Sequence, residues 1–228
     1  ATMQRAASLR KMSGDPRQPK ITLTYFPLRG RLESVKMMLC AANMKYDEVW
    51  APRGKEWIER RTGGEFPFDQ LPVVDFDGKR LAQSGAINRY VAHLTGFMPE
   101  DPWDQALAGQ AFDATQELEG AMPLVNLLTG ERFAEMRSKY MKRLPRRLDN
   151  FSRALGSRPF LVNDRLSYAD FGLHFVLNLT TLIEPRALDS HHELAEFVER
   201  VGSSSQGVKD YLDARPTPVG IGTEPRME

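Results

Sequence analysis

Cysteine and histidine are scarce in this sequence. Cys40 is the single cysteine among 228 residues, and there are four histidines. One cysteine cannot form a disulfide within the chain, so a reducing compartment is the natural setting. Because no Cys-x-x-Cys motif and no Cys/His cluster occurs, we expect no metal site. The adjacent His191 and His192 point in different directions on a helix, and we expect both side chains to be solvated.

Long hydrophobic runs and an excess of one charge are also absent. No apolar run approaches the roughly 18 residues that a membrane-spanning helix needs, so we expect no membrane partner. The chain has 31 basic and 30 acidic residues, whereas nucleic-acid binders usually carry a basic excess, so we expect no nucleic-acid partner. An apolar content of 41% is enough for a packed core and excludes disorder of the whole chain.

The first 20 residues differ from the rest. They hold five basic residues and one acid: Arg5, Arg10, Lys11, Arg17, Lys20 and Asp15. An arginine-rich, acid-poor terminus is typical of a transit peptide, but this one is short and poor in apolar residues. We expect residues 1–20 to be a disordered tail, a targeting segment or a segment added for expression, and to lie outside the fold.

Residues 21–97 alternate strand and helix patterns. Apolar spacing and turn residues predict strands at 21–25, 45–49, 73–76 and 79–82, and helices at 31–42, at 55–61 and from Ser84 onward. The last two strands flank Asp77-Gly78, a strong hairpin signal. The order is a parallel crossover followed by an antiparallel hairpin, which matches a thioredoxin-like α/β domain.

The segment 96–104 is rich in Gly and Pro and indicates a linker. Beyond it the pattern predicts helices and no strands, so we expect residues 104–216 to form an all-α helical-bundle domain. Pro145 lies inside the apolar spacing of 133–155, as Pro123 does in the preceding helix pattern, and each is expected to kink or end its helix.

A further helix is expected after Ser167. The sequence Ser167-Tyr-Ala-Asp170 has the form of a capping box, and it directly precedes the apolar run 171–182.

Tyr25 ends the first predicted strand, just before Pro27. This places its hydroxyl at the carboxyl end of a strand beside the start of a helix, where open α/β sheets bind ligands. A tyrosine hydroxyl is a neutral hydrogen-bond donor near pH 7. From this segment alone, two interpretations stay open: a donor that stabilises an anion, and an ordinary strand aromatic.

Two further segments offer polar groups near strand ends. Pro72 begins a strand and cannot donate to its ladder, so the backbone of Leu71 could pair with an extended peptide; a plain loop proline is the alternative. We expect Ser84 to be the N-cap of the helix that follows the hairpin, where backbone N–H groups favour a carboxylate. Gln83 adds a donor and an acceptor; the alternative is that Ser84 only caps its own helix.

Together these groups fit a short acidic peptide whose reactive centre is an anion. Glutathione has the matching parts, namely a γ-glutamyl carboxylate, a cysteinyl backbone and a thiolate. The thiolate is the nucleophilic form, and a hydrogen bond to it lowers the thiol pKa.

The chain resembles the cytosolic glutathione transferases, in particular the tyrosine-type pi and sigma classes, from about Lys20 to about Pro216. Tyr25–Arg31 is similar to the catalytic tyrosine loop of that family, Gln70–Pro72 to its cis-proline motif and Gln83–Ile87 to its γ-glutamyl motif. Trp57, thirteen residues before Gln70, corresponds to the pi-class tryptophan at the glycyl end. Ser167–Asp170 resembles the capping box of the core helix of the family.

The resemblance implies roles for individual residues. Tyr25 would stabilise the thiolate, and the glutathione site would comprise Tyr25, Arg31, Trp57, Arg61, Gln70, Leu71, Pro72, Gln83, Ser84 and Glu117. Glu117 would reach the glutamyl amine across a homodimer interface, and Phe68 would enter the partner subunit. The electrophile site would be walled by Phe26, Leu28, Pro123 and Leu127.

One position departs from the pi-class pattern. The residue six places after Trp57 is Gly63 rather than lysine. The glycyl carboxylate would then be bound by Arg61 or Lys55.

The resemblance implies a cytoplasmic, dimeric glutathione transferase that uses glutathione as co-substrate to conjugate small hydrophobic electrophiles in detoxification. Two alternatives stay open: a glutathione-dependent isomerase of the prostaglandin D synthase type, and a non-catalytic structural relative such as the S-crystallins. A thiol–disulfide oxidoreductase is disfavoured because Cys40 lies well inside its helix rather than at the start, where a low-pKa thiol belongs.

Overall fold

A computed structural model of the chain describes residues 18–215 and 221–222. Most of the predicted tail, residues 1–17, lies outside the described residues. Gln18 and Lys20 already contact the folded chain, through a hydrogen bond from Gln18 Nε2 to Lys45 O (3.0 Å) and one from Lys20 N to Asp77 Oδ1 (2.8 Å).

The chain divides into two compact units. The first contains the described residues up to Pro27 and residues Arg31–Met98, and the second contains Leu28–Gly30 and the residues from Pro99 onward. The division between Met98 and Pro99 falls within the segment 96–104.

The first unit is a four-stranded sheet with helices. Its elements are β1 (Ile21–Tyr25), α1 (Glu33–Ala41), β2 (Asp47–Trp50), α2 (Gly54–Thr62), a 3₁₀ turn (Pro67–Asp69), β3 (Val73–Phe76), β4 (Lys79–Ala82) and α3 (Ser84–Thr95). The strand order is β2-β1-β3-β4, with β1 parallel to β2 and antiparallel to β3, and β3 antiparallel to β4. This confirms the thioredoxin-like fold.

The core of this unit follows from the alternation of apolar residues. Ile21 and Leu23 of β1 are buried, as are the apolar residues of α1 and α3 that face each other, Val35, Met38, Leu39, Ile87 and Val91. The first helix begins at Glu33, two residues later than the pattern predicts, because Leu32 takes the N-cap position. Arg31 therefore lies in the turn before the helix.

The second unit is helical. It contains α4 (Pro102–Ala114), a 3₁₀ turn (Thr115–Leu118), α5 (Ala121–Asn126), α6 (Gly130–Leu155), α7 (Tyr168–Ile183), α8 (His192–Gly202) and α9 (Gln206–Ala214). An isolated parallel bridge joins Thr129 to Gly222. The all-α prediction for this part of the chain is confirmed.

The two prolines act differently from each other. Pro123 lies in the first turn of α5, where a missing N–H has no intrahelical acceptor to lose, and the predicted long helix is broken ahead of it by the 3₁₀ turn. Pro145 lies inside α6 and does not end it. Burial of an apolar row along α6, Tyr140, Leu144, Leu148, Phe151 and Leu155, offsets the roughly 3 kcal/mol that an internal proline costs.

The capping box of α7 is confirmed. Ser167 N and Ser167 Oγ donate to Asp170 Oδ2 at 2.7 and 2.8 Å, and Leu161 N donates to Asp170 Oδ1 at 2.8 Å. Burial raises the pKa of Asp170 to about 6, and the three donors act in the opposite direction. The helix that follows is buried along most of its length.

The prediction that both adjacent histidines are solvated is wrong for one of them. His191 precedes α8, and only 9% of its surface is exposed. Its Nε2 lies 3.0 Å from Asp149 Oδ1 of α6. His191 lies before the first residue of α8, so the spacing rule for neighbours within a helix does not apply to it.

Candidate active site

Tyr25 is the last residue of β1. It pairs with Trp50 in the parallel register, and its carbonyl oxygen accepts from Ala51 N at 2.9 Å. The backbone on which the side chain stands is therefore held in the sheet up to the point where the strand ends. The half-buried phenol lies at the carboxyl end of β1, as the alternation predicts.

A chain of aromatic rings follows Tyr25. The Phe26 ring lies 5.0 Å from that of Trp57 in an edge-to-face arrangement, and Trp57 lies 5.3 Å from Phe66. Trp57 and Leu71 both pack against a buried cluster of Phe66, Val73 and Ala82. Phe26, a predicted wall of the electrophile site, therefore contacts Trp57, a residue predicted for the glutathione site.

Leu71 lies just ahead of β3, and the peptide bond between Leu71 and Pro72 is cis. The ladders of β3 begin at Val73. Within the part of the chain that the structure describes, the Leu71 backbone has no hydrogen-bond partner. Since β3 is a central strand, the Leu71 backbone groups lie at the end of a strand and not along an outer edge of the sheet.

Ser84 is the first residue of α3, and Gln83 is the N-cap. The prediction that Ser84 is the N-cap is therefore wrong by one residue. The Ser84 hydroxyl accepts a hydrogen bond from Arg31 Nη1 at 3.4 Å. This contact gives Arg31 a direct structural role beside the start of α3, where the first-turn N–H groups lie.

Gln83 has a strained backbone, with φ 69° and ψ 113°. A residue other than glycine adopts a positive φ only at a cost of about 1–3 kcal/mol, and such strain concentrates at functional sites. The exposed side chain donates from Nε2 to Gln70 Oε1 at 3.0 Å. The structure thus brings the predicted site residues Gln70 and Gln83 into contact, and likewise Arg31 and Ser84. Trp57 and Leu71 pack against the same buried cluster.

A supporting residue was missed by the sequence reasoning. Asn88 is fully buried and donates from Nδ2 to Ser84 O at 2.8 Å. Its Oδ1 accepts from Ser34 Oγ at 2.7 Å, which joins α1 to the first turn of α3. A buried asparagine four residues after Ser84 was the available signal, because a buried amide needs partners.

The departure at Gly63 leaves three candidate cations nearby. Arg60 is engaged by Glu65 and lies 5.6 Å over the Phe66 ring. Lys55 is exposed and 3.5 Å from Glu59. Arg61 is half-buried, and its guanidinium makes no hydrogen bond or ion pair with any described residue, so this group remains available to an anion.

The loop after Tyr25 contacts α5. Arg29 N donates to Asn126 Oδ1 at 3.2 Å, and Asn126 Nδ2 donates to Arg29 O at 2.8 Å. Asn126 is buried and was not predicted. Three predicted electrophile residues, Leu28, Pro123 and Leu127, lie in the second unit with this contact, and Leu127 is exposed.

The two residues predicted at a subunit interface lie on the surface. The Phe68 side chain is 76% exposed, in a turn where its φ is 57°. Glu117 is exposed and 3.6 Å from Arg147 of the same unit.

The site has the groups for binding an anionic peptide and stabilising a thiolate. No cluster of three or more metal-binding side chains occurs among the described residues, and none of the helices in that part of the chain is both long and apolar enough to cross a membrane. Burial raises the pKa of the Cys40 thiol above its ordinary value, although a hydrogen bond with Tyr46 opposes the shift. Cys40 is therefore a poor nucleophile at neutral pH.

Comparisons with known proteins agree with this geometry. Two family models match the chain: "Glutathione S-transferase, N-terminal domain" over residues 21–93 and "Glutathione S-transferase, C-terminal domain" over residues 121–215. Together they cover more than half of the sequence.

Curated relatives include human Glutathione S-transferase Mu 5, 26% identical over 187 residues, which are 79% of this chain and 85% of that protein. Bovine Glutathione S-transferase P is 29% identical over 190 residues, 81% of this chain and 88% of that protein.

Solved structures similar to the chain include NaGST-2, with a TM-score of 0.76 and 27% identity, covering 87% of this chain and 98% of that one. Monomeric Na-GST-3, a glutathione S-transferase of the human hookworm Necator americanus, has a TM-score of 0.75 and 27% identity, covering 86% of this chain and 98% of that one.

Proposed function

Because this chain belongs to the glutathione S-transferase family, we propose that it transfers glutathione, its co-substrate, to small hydrophobic electrophiles. The observation that carries the proposal is the placement of Tyr25 in the same unit as the unpaired Leu71 backbone and the Arg31–Ser84 contact. Tyr25 would stabilise the thiolate of glutathione, the Leu71 backbone would pair with the cysteinyl backbone, and the Arg31–Ser84 contact would lie at the γ-glutamyl carboxylate.

Binding begins with the backbone of the tripeptide. Leu71 N–H and C=O pair with the cysteinyl residue, as an added strand would. The first-turn N–H groups of α3 and the Ser84 hydroxyl hold the γ-glutamyl carboxylate, and the Gln70–Gln83 pair provides further polar groups beside it. Trp57 packs against the glycyl end, and Arg61 neutralises the glycyl carboxylate in place of a lysine at Gly63.

The chemical step depends on Tyr25. Its hydroxyl donates a hydrogen bond to the cysteinyl sulfur and favours the thiolate over the thiol. If the thiol pKa falls by about two units from about 8.5, the thiolate fraction near pH 6.5 rises roughly 50-fold, from about 1% to about half. The thiolate then attacks the electrophilic carbon, and the leaving group departs; the protein contributes orientation and charge stabilisation.

The electrophile would be bound by the second unit. Leu28, Pro123 and Leu127 provide apolar surface, and Phe26 adds an aromatic wall. We assign residues 21–97 to glutathione binding and 104–216 to a helical domain that carries this electrophile site.

The test is Tyr25→Phe, measured as kcat/KM with an aromatic halide from pH 6 to 8. A hydrogen bond to a charged group contributes about 1.5–3 kcal/mol, so kcat/KM should fall about 10- to 100-fold near pH 6.5 and recover as pH rises. Tyr90→Phe, at another tyrosine of the same unit that is 46% exposed, is the matched control. Full activity of Tyr25→Phe across this range would refute the role of Tyr25.

The proposal includes a homodimer. The exposure of Phe68 at a turn with positive φ supports it, because the family resemblance assigns to this position an aromatic side chain that enters the partner subunit. Glu117 would reach the glutamyl amine of glutathione bound to the partner subunit. Sedimentation should give a dimer for the native chain and a monomer for Phe68→Ser; an unchanged mass would exclude Phe68 from the interface.

We also propose a cytoplasmic location and a detoxification role. The single cysteine supports a reducing compartment. Cell fractionation of the full chain, with the first 20 residues present, is the direct test.

A further inference from the structure

A marked charge asymmetry lies on α6 and the turn after it. Residues 137–158 contain eight basic residues and a single acid, Asp149, in a chain whose formal charge is +1. Arg137 and Arg147 are paired within the unit, with Glu184 at 2.8 Å and with Glu117 at 3.6 Å. The other six side chains are exposed: Lys139, Lys142, Arg143, Arg146, Arg153 and Arg158.

Helix geometry aligns four of these cations. At about 100° per residue, they fall within about 40° of the direction opposite the buried apolar row of α6. We call this set the basic stripe: Lys139, Lys142, Arg146 and Arg153. At about 1.5 Å per residue, the stripe is about 21 Å long.

Glu131, Glu135 and Asp149 share this face of α6, and between residues 139 and 153 the face carries four cations and one acid. Lys139 pairs with Glu135 at 2.6 Å, and Arg153 donates to the neutral Asn150. Lys142 and Arg146 form no ion pair with any residue in the described part of the chain. Asp149 Oδ1 lies 3.0 Å from His191 Nε2, a contact that neutralises the carboxylate only when the imidazole is protonated.

The stripe also has no aromatic side chains. The aromatic residues of α6 are Phe133, Tyr140 and Phe151, and each is buried or half-buried. Binding of single-stranded nucleic acid depends on exposed aromatic rings on which bases stack. The stripe fits instead an anionic surface that is bound by charge alone.

We propose that the basic stripe is a docking surface for anionic phospholipid bilayers. Clusters of four or more Lys and Arg on an amphipathic helix are the usual feature that recognises phosphatidylserine-rich surfaces. A row of exposed cations along one face of a helix can contact a planar layer of phosphate and carboxylate groups. This proposal departs from the expectation of no membrane partner, which rested on the lack of a membrane-spanning apolar run and did not consider adsorption of a charged helix face to the membrane surface.

The test is co-sedimentation of the full chain with vesicles of phosphatidylcholine containing about 30% phosphatidylserine, compared with phosphatidylcholine alone. The native chain should bind only the anionic vesicles and should be released as salt rises from about 50 to about 500 mM. Each cation near such a surface contributes about fivefold in affinity, so Lys142→Gln/Arg146→Gln should bind about 30-fold more weakly.

The control is Lys79→Gln/Lys209→Gln, which removes the same formal charge at two exposed lysines outside α6. It should bind like the native chain. Residues 1–17 are common to all three proteins, so their contribution cancels. The proposal is overturned if the native chain ignores anionic vesicles, if both double variants lose equal affinity, or if duplex DNA is bound in preference to vesicles. Unchanged melting temperature and conjugation rate of the stripe variant exclude misfolding.

Discussion

His174 should make the protein sensitive to acid, and His174→Leu should remove that sensitivity. His174 lies in α7 with 2% of its surface exposed, and its Nδ1 has no hydrogen-bond partner within the described chain. Gly202 approaches closely from α8: a Cβ atom there would lie 3.3 Å from His174 Nε2. Burial, with the positive charge of Arg215 as the smaller cause, lowers the pKa of His174 to about 3.

Proton linkage gives the sign and the size of the change in unfolding free energy with pH. The unfolded chain binds a proton at His174 near pH 6.5, whereas the folded chain does so only near pH 3, so stability is present above 6.5 and lost as pH falls through this window. At pH 5 the loss is about 2 kcal/mol. Asp170 acts oppositely: its pKa is raised to about 6, so its stabilisation is present at low pH and lost as pH rises through 6. At pH 5 the protonation of Asp170 stabilises the fold by about 1 kcal/mol, which offsets part of the loss caused by His174.

The difference in unfolding free energy between His174→Leu and the native chain is measured by urea unfolding from pH 7.5 to pH 5, at fixed protein concentration and ionic strength. The free energy of unfolding of His174→Leu, taken relative to the native chain, should rise by about 2 kcal/mol between these two pH values. His93→Leu, at an exposed histidine of α3, should follow the native curve. If the His174→Leu and native curves stay parallel, His174 is not held neutral by burial.

Three more substitutions test the site and its support. Asp170→Ala leaves the Ser167 and Leu161 donors without an acceptor and should cost about 3–5 kcal/mol of unfolding free energy in urea. Gln83→Gly should raise the unfolding free energy by about 1 kcal/mol, because glycine relieves the positive φ. The same variant should bind glutathione more weakly in calorimetry, because the Gln83 side chain is lost. Asn126→Ala should cost about 2–4 kcal/mol in the same urea assay, because its amide satisfies both backbone groups of Arg29; an unchanged value would make that contact incidental.

Much of the sheet could be predicted because its signals are local. Alternating apolar residues define the limits of β1, and the Asp77-Gly78 turn joins β3 to β4. In the helical unit, the Ser167–Asp170 capping box likewise marks the start of α7. Each depends on residues within a few positions of one another, so the sequence alone contains the information.

The features that were missed depend on tertiary neighbours. The burial of His191 follows from Asp149, 42 residues earlier, and the role of Asn126 follows from the backbone of Arg29, 97 residues earlier. The continuation of α6 through Pro145 depends on packing along its buried row. Spacing within one element cannot report such partners.

The open edges of the sheet have a consequence for self-association. β2 is an edge strand of four residues, all of them exposed, including Val49 and Trp50. A bare apolar edge invites a second molecule to extend the sheet. Here the edge is short and begins with Asp47 and Glu48, while the opposite edge, β4, begins with Lys79 and Arg80. Pairing of β2 with a second β2 would place acidic residues on both strands, so a dimer through this edge is disfavoured and the exposed Trp50 can remain at the surface. Pairing of β2 with β4 of another molecule is not opposed by charge in this way.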